Sequence, residues 1–345
     1  MRSFKKIIIS SIAFTVVSAL LFTLMILPYS RSESEFYCDC KFRKELVGSI
    51  DTIFLGASQC VRGLIPEEAD KILGCKSYNL GGSLLTWHAR EALLLEEVDR
   101  NPVKTVYMDI AFDTLQRGNE TGFEGNADVL LRLDGTAKRI KYFFKETPID
   151  QYDDMLSIFS LHGFMYSKSK LLKAENSLDK KAKGYFPANE VDISISAEET
   201  DSLFNCENIE KDFDKENLTT LERIVDICKV RNIELVFIVI PLSDNKIWKI
   251  ADWNIFVDKV KELSDKYSCR CYDFNLLKSR YNLLTDKESF SNATHLSDTG
   301  AKAFTKEFAT IMSRLNNGAN ADSLFYSSYD EMKKDSPYMK QLSLL

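Results

Sequence analysis

The amino-acid sequence predicts an α/β protein, with a doubly wound parallel sheet between two layers of helices. Two observations lead to this prediction. Short apolar runs alternate with longer segments of helical character, which is typical of a parallel sheet joined by helical crossovers. The alternation stops at about residue 113 and resumes at about residue 215, so the intervening polar segment is expected to be an insertion. Right-handed crossovers then place the functional site at the carboxyl edge of the sheet.

Five short segments, several of them apolar runs, are predicted to be the strands, and several are ended by glycine or proline. They are 51–56, 75–80, 103–110, 233–240 and 269–274. The helices between them show a proline at the first turn or an apolar face. They are 66–73, 84–99, 218–230, 255–267 and 298–315.

The N-terminal residues 1–31 are predicted to hold a signal-anchor helix. Residues 7–27 carry no charge, and at ~1.5 Å per residue they extend about 31 Å, enough to cross a bilayer. Arg2, Lys5 and Lys6 precede this run, so the bulk of the chain is expected outside the cell membrane. A cleaved signal peptide is the alternative interpretation.

Three further parts follow the predicted anchor. Residues 32–46 are predicted to be a polar stalk, and residues 47–315 the α/β domain with its insertion at about 113–215. Residues 316–345 are predicted to be a polar C-terminal tail.

Composition excludes some classes of function. The formal net charge of −6 argues against broad nucleic-acid binding, which needs a basic surface. Three histidines and no paired C-x-x-C spacing argue against a zinc site, so no metal is expected. The eight cysteines leave two alternatives open, disulfides in an oxidising compartment or buried free thiols.

Three features fall at the predicted carboxyl edge of the sheet. Ser58 directly follows the first strand, Gly81 and Gly82 end the second, and His295 precedes the last helix. A serine becomes nucleophilic beside a base, and histidine is the usual base. The Ser58 amide and a Gly81 or Gly82 amide are candidate oxyanion donors. Taken singly, Ser58 and His295 are more typical of a helix cap, a turn or a surface histidine, and the glycines of a tight turn.

Together these residues resemble the SGNH/GDSL hydrolase superfamily. Its nucleophilic serine follows strand one, a glycine follows strand two, and a D-x-x-H block lies near the C-terminus. Here Ser58, Gly81 or Gly82, and His295 occupy those positions. The predicted anchor, the insertion and the segment His-Leu-Ser-x-x-Gly-Ala are similar to one branch, the membrane-anchored D-alanyl lipoteichoic acid transfer proteins and alginate-type O-acetyltransferases.

The sequence departs from that pattern at two places. Asn292 stands three residues before His295, where the superfamily has its acid; an amide can orient the imidazole but cannot stabilise its cation as a carboxylate does. Asp298 is a candidate substitute, although it is more typical of a helix start. The asparagine of the superfamily block after strand three is also missing. Asp109 and Asp113, together with His88, are candidates for lining the site.

The resemblance implies serine acyl chemistry with Ser58 as nucleophile, His295 as base and Asn292 as its orienting partner. The expected function is an acyl-esterase or O-acyltransferase acting on a cell-envelope polysaccharide or teichoic-acid-like polymer, beside a membrane-bound O-acyltransferase. No organic cofactor is expected. The alternative is a catalytically weak or inactive SGNH-fold module, which binds polymer or scaffolds a membrane partner.

Overall fold

The computed structural model describes residues 2–26, 39, 42–116, 129–130, 132–147, 149, 152, 182–191, 209, 213–250 and 252–342. Helix α1 covers Arg2–Ile26. Within these ranges no helix combines the length and the hydropathy of a membrane span. Most of the predicted stalk and most of the predicted insertion lie outside the described residues.

Five parallel strands form the central sheet, in the order β2-β1-β3-β4-β5. They are β1 (Thr52–Leu55), β2 (Ser77–Asn79), β3 (Thr105–Asp109), β4 (Glu234–Val239) and β5 (Arg270–Asp273). Each falls inside a predicted strand. The order reverses between β2 and β3, which is the topology of a doubly wound sheet with its switch point beside β1. The predicted fold class is therefore confirmed.

Helices follow the strands as the crossover pattern requires. The principal ones are α2 (Ser58–Gly63), α3 (Pro66–Leu73), α4 (Trp87–Arg100), α5 (Phe112–Gln116), α6 (Thr136–Glu146) and α7 (Lys215–Val230). They continue with α8 (Asp244–Ile247), α9 (Trp253–Tyr267), α10 (Arg280–Leu283), α11 (Asp298–Asn316), α12 (Tyr329–Asp335) and α13 (Pro337–Leu342).

The sheet separates two hydrophobic cores, because successive side chains of a strand point to opposite faces. On one face, Ile53 of β1 packs in a cluster with residues of α4, α7 and α9. On the other face, Phe54 packs in a cluster with residues of α3 and α11, including Phe308. Both strand residues are fully buried. The result is a three-layer α/β/α arrangement.

A two-stranded hairpin precedes α11, in a region where no strand is predicted from the sequence. Strands β6 (Phe290–Asn292) and β7 (His295–Leu296) pair in antiparallel fashion, and Asn292 faces His295. The hairpin is fixed to α11 at Ser297, whose side chain accepts a hydrogen bond from the Gly300 amide at the helix N-terminus. Strands of three and two residues are too short to show a two-residue periodicity in the sequence.

Residues beyond α11 pack against the α/β domain. Tyr329 and Met332 of α12 are buried, and the Tyr329 ring stacks on Trp253 with centroids 4.4 Å apart. The Tyr329 hydroxyl donates a hydrogen bond to Asp273 at the end of β5, with a distance of 2.7 Å. The described part of the predicted tail, up to residue 342, is therefore helical in two places and contributes to the core.

A buried polar network fastens the chain at residue 39 to the domain. The Asp39 carboxylate accepts hydrogen bonds from Arg43 Nε at 3.1 Å, Arg132 Nε at 3.0 Å and the Tyr78 hydroxyl at 2.6 Å. These partners come from three separate parts of the chain. The two guanidinium groups hold the pKa of Asp39 below its ordinary value, despite the opposing effect of burial.

Candidate active site

Ser58 lies just after the carboxyl end of β1, the strand beside the switch point. Strand β1 ends at Leu55, two small residues form the turn, and Ser58 is the first residue of α2. A Cβ on Gly56 would lie 2.6 Å from Cys60 Cβ and 2.8 Å from Asp109 Cβ. Glycine is therefore required here, because the turn passes directly between α2 and the end of β3.

The structure brings Ser58, His295 and Asn292 into one hydrogen-bonded chain. His295 Nε2 lies 2.7 Å from Ser58 Oγ, and His295 Nδ1 lies 2.9 Å from Asn292 Oδ1. The hairpin β6–β7 supplies the histidine and the asparagine, and the end of β1 supplies the serine. This is the geometry of a nucleophile, its base and the group that orients the base.

The hydrogen bonds of Asn292 settle which imidazole nitrogen carries the proton. Asn292 Oδ1 also accepts the backbone N–H groups of Thr294 at 2.9 Å and His295 at 3.0 Å. The atom facing Nδ1 is therefore the amide oxygen, an acceptor, and Nδ1 must be the protonated nitrogen of the neutral ring. Nε2 is left with its lone pair toward the Ser58 hydroxyl, as a general base requires.

Burial lowers the pKa of His295 to about 4, and the nearby positive charge of Arg62 acts in the same direction. Both causes disfavour the imidazolium form. Among the described residues no carboxylate contacts His295 to offset them, since Asp298 accepts a hydrogen bond from the Tyr185 hydroxyl and pairs with Lys302. His295 is therefore a neutral, weakly basic imidazole at physiological pH.

The structure distinguishes between the two glycines predicted as oxyanion donors. The Gly81 amide donates a hydrogen bond to Asn79 Oδ1 at 2.9 Å, so it is already used within the fold. In the part of the chain that the structure describes, the Ser58 and Gly82 amides donate to no protein acceptor. Ser58 and Gly82 are therefore the backbone donors left for an oxyanion, and Gly81 serves as support.

Asn79 is a supporting residue that the sequence analysis does not single out. Its Nδ2 donates to the carbonyl oxygens of Cys60 and Leu64, each at 2.8 Å, and its Oδ1 accepts from Gly81. The side chain is fully buried. It thus ties the end of β2 to α2, the helix that begins with Ser58. The sequence carries no distinct signal of this role, because Asn79 is one of several polar residues in the segment 75–80.

A cavity of about 100 Å³ opens beside α2. Its walls come from Arg62 on α2, from Gly81 and Gly82 after β2, and from the segment 182–186. Arg132 and Asp39 form part of the wall. The cavity adjoins the candidate oxyanion donor Gly82, although neither Ser58 nor His295 forms part of its wall.

Asp109 lies beneath the Ser58 turn and does not line the cavity, which corrects its predicted role. Its side chain is fully buried, and neither carboxylate oxygen has a hydrogen-bond partner among the described residues. Burial raises the pKa of Asp109 to about 7, although the charge of Arg90 opposes this shift. Arg90 Nη1 donates to the Asp109 carbonyl oxygen at 3.1 Å. Asp113 is half-buried in the first turn of α5 and is not part of the cavity wall.

His88 is also removed from the predicted site lining. Its Nε2 lies 2.8 Å from Glu216 on α7, and its Nδ1 lies 3.1 Å from Glu146 on α6. Arg223 of α7 contacts the same imidazole at 3.3 Å. This cluster joins three helices, and none of its members belongs to the cavity wall.

The described cysteines are free thiols. They are Cys60, Cys75, Cys228, Cys269 and Cys271. Burial raises the pKa of Cys60, two residues after Ser58, which keeps it a thiol rather than a nucleophilic thiolate. The remaining three cysteines lie outside the described residues, and no group able to hold a metal ion is found where the chain is described.

Comparison with known proteins gives no family assignment: no family model and no curated protein matches the chain. Among solved structures, a Streptococcus pneumoniae protein assigned as a platelet activating factor is 13% identical. The match covers 87% of this chain and 99% of that chain, with a TM-score of 0.37. A Bacteroides fragilis protein assigned as an acylhydrolase is 10% identical over 80% of this chain and 93% of that chain, with a TM-score of 0.35. TM-scores this low carry no conclusion about activity.

Proposed function

We propose that the protein is a serine acyl-esterase or O-acyltransferase that forms an acyl-enzyme at Ser58. One observation carries this proposal. Ser58 Oγ, His295 and Asn292 form a continuous hydrogen-bonded chain, with separations of 2.7 and 2.9 Å. These three residues lie at the carboxyl edge of the doubly wound sheet, which is where folds of this class carry their functional sites.

In the first half-reaction, the Ser58 oxygen attacks the carbonyl carbon of the ester while its proton passes to His295 Nε2. The negative charge on the tetrahedral oxygen faces the Ser58 and Gly82 amides. When the intermediate collapses, the bond to the alcohol oxygen breaks and His295 returns the proton to that oxygen. The product is a free alcohol and an ester of Ser58.

In the second half-reaction, an acceptor hydroxyl takes the place of the departed alcohol. His295 Nε2 removes its proton, and the acceptor oxygen attacks the acyl carbon. Collapse breaks the bond to Ser58 Oγ, which recovers the proton from His295. Water as acceptor gives hydrolysis, and a carbohydrate hydroxyl gives acyl transfer.

The biological setting that we propose comes from the sequence. A signal-anchor in residues 1–31 would hold the domain on the outer side of the cell membrane, where an envelope polysaccharide or teichoic-acid-like polymer is the acceptor or the ester. The resemblance to the membrane-anchored SGNH branch supports this setting and a membrane-bound O-acyltransferase as partner.

Two features favour the second candidate, a weakly active or non-catalytic module of the same fold. Asn292 replaces the carboxylate that normally stabilises the imidazolium, and the Gly81 amide is occupied by Asn79. Such a module would bind polymer or scaffold a membrane partner without turning over esters.

Labelling with a fluorophosphonate separates the two candidates. The full chain, in native membranes and in detergent, is labelled as wild type, as Ser58→Ala and as Ser323→Ala. Ser323 is an exposed serine whose hydroxyl donates to the Asn320 carbonyl oxygen, and it serves as the control. Labelling of wild type and Ser323→Ala, but not of Ser58→Ala, supports the enzyme. Equal labelling in all three, or none in the folded wild type, supports the non-catalytic module.

A further inference from the structure

Arg62 stands out among the arginines around the cavity. It lies four residues after Ser58 on α2, so both side chains emerge from the same face of one helical turn. Its guanidinium carbon lies 5.8 Å from the centroid of the Phe186 ring, on the cavity wall. Among the described residues it donates no hydrogen bond, and no carboxylate lies within 4 Å of it.

The other charges of the cavity wall are satisfied. Arg132 donates to Asp39 at 3.0 Å and to the Gly81 carbonyl at 2.9 Å, and its side chain is almost fully buried. Asp39 in turn is held by two arginines. Two arginines and one aspartate line the cavity, and the unmatched positive charge belongs to Arg62.

The Arg62 charge also reaches the candidate catalytic group. Burial and the positive charge of Arg62 both lower the pKa of His295, and Arg62 opposes the rise in the pKa of Tyr185 that burial and Asp298 cause. Arg62 thus connects the cavity with the imidazole that faces Ser58. A negatively charged group on a substrate bound at Ser58 would lie within reach of a guanidinium that has no other ionic partner.

We propose that Arg62 binds an oxyanion group of the substrate, so that the protein acts on esters carrying a carboxylate or a phosphate. The claim that the anion belongs to a substrate rests on the proposed function. The anion site itself is inferred from Arg62 and the cavity. The planar guanidinium offers paired N–H donors, which suit both carboxylate and phosphate oxygens.

The first test measures anion binding without catalysis. The imidazole NMR signals of the full chain, which has three histidines, are followed during titration with succinate, methyl phosphate and neutral succinamide. The proteins are wild type, Arg62→Gln, Arg62→Lys and the control Arg231→Gln. Arg231 is an exposed arginine paired with Asp99 at the amino edge of the sheet, and its replacement removes the same charge.

We expect an anion to shift the His295 signal in wild type and in Arg231→Gln, and succinamide to leave it unchanged. Arg62→Gln should weaken the binding about ten- to hundredfold, which is the range for a charge-assisted hydrogen bond, and Arg62→Lys should restore part of it. Whichever of succinate and methyl phosphate binds more tightly identifies the type of anion that the site prefers. Equal titration of wild type and Arg62→Gln, or no titration of wild type, overturns the site.

The second test places the anion on the substrate. Mono-4-nitrophenyl succinate is compared with neutral 4-nitrophenyl butyrate, and 3-acetoxypropanoate with neutral propyl acetate. A preference in kcat/KM of about tenfold or more for one anionic ester, lost in Arg62→Gln and kept in Arg231→Gln, supports the substrate class. Turnover without such a preference overturns it. If no ester is turned over while anions still bind through Arg62, the proposed function fails and the anion site remains.

Discussion

At the scale of single residues, Asn292 determines what His295 can do. Its amide oxygen fixes the proton on Nδ1 through a contact of 2.9 Å, which a carboxylate would also do. It provides no negative charge, so nothing compensates the burial of His295 when the ring becomes cationic. The site is organised for removing a proton from Ser58, and it is poor at holding that proton afterwards.

The pKa of His295 leads to a prediction about pH. Because the pKa is lowered to about 4, the imidazole stays neutral as pH falls from 8 to about 5, and the base is lost only as pH falls through 4. The acid limb of kcat/KM for ester cleavage should therefore lie near pH 4. Arg62→Gln removes one cause of the lowering, so its limb should move to higher pH. A wild-type limb near the ordinary histidine value of about 6.5 would contradict the buried geometry.

Replacing Asn292 by aspartate supplies the missing charge. The aspartate oxygen can accept the same hydrogen bonds from Thr294, His295 and the imidazole Nδ1. We expect kcat to rise about tenfold or more, since the reverse change in a serine protease triad lowers turnover about 10⁴-fold. The acid limb of the pH profile should rise together with the pKa of His295. Asn317→Asp, at an exposed helix end, is the control. Unchanged kcat with a shifted limb would show that imidazolium stability does not limit turnover.

At the scale of elements, helix α11 positions the helix that begins with Ser58. The hydroxyl of Thr305 on α11 donates to the Gly63 carbonyl at 3.1 Å and accepts from the Ile65 amide at 3.0 Å. All these groups are buried, and they lie where α2 ends and α3 begins. These two hydrogen bonds therefore join α11 to the segment between α2 and α3, directly after the helix that begins with Ser58.

Thr305→Val removes these two hydrogen bonds at constant shape. It leaves a buried N–H and a buried carbonyl without partners, so the free energy of unfolding should fall by about 1–3 kcal/mol. Thr310→Val is the matched control, because Thr310 is exposed on the same helix and bonds only to its own helix backbone. Its effect should stay within about 0.5 kcal/mol. Urea unfolding of both variants measures the difference, and equal effects would show that the Thr305 contacts contribute nothing.

The strands and helices of the sheet layers could be predicted because each carries its own pattern, an apolar run or an apolar helix face. Hairpin β6–β7 could not, since its pairing is set by the position of α11 and by Ser297 rather than by a run of residues. The candidate site divides in the same way. Ser58 and His295 follow from their places relative to strands and helices, whereas Asn292 follows from the resemblance to the SGNH/GDSL superfamily.

Other site residues depend on contacts between distant segments. Asn79 and Arg62 acquire their roles only when the end of β2 meets α2 and the segment 182–186. Asp109 follows a strand as a site residue would, but the close passage of the Ser58 turn buries it. The packing of α4 on α7 places His88 within hydrogen-bonding distance of Glu216.

At the scale of the whole molecule, the described C-terminal segment covers one side of the hydrophobic core that contains Ile53. Tyr329 is buried, stacks on Trp253 and donates to Asp273, so it links α12 to α9 and to the end of β5. Tyr329→Ala should lower the free energy of unfolding by about 3–5 kcal/mol, as for other buried aromatic truncations. Tyr329→Phe, which keeps the ring and removes the hydroxyl, should cost about 1–3 kcal/mol. Equal losses measured by denaturant unfolding would show that the stack is unimportant.

The Asp39 network limits how far the domain can lie from the end of α1. Asp39 is fastened to Arg43, Arg132 and Tyr78, and it lies thirteen residues after Ile26, the last residue of α1. A chain of that length spans at most about 45 Å when fully extended. If α1 holds the protein to a bilayer as we propose, the tether confines the cavity beside Asp39 to a thin shell above the membrane. Any polymer that it modifies must then enter that shell, and a polymer attached to the same membrane would meet the cavity at an effective concentration set by the length of the tether.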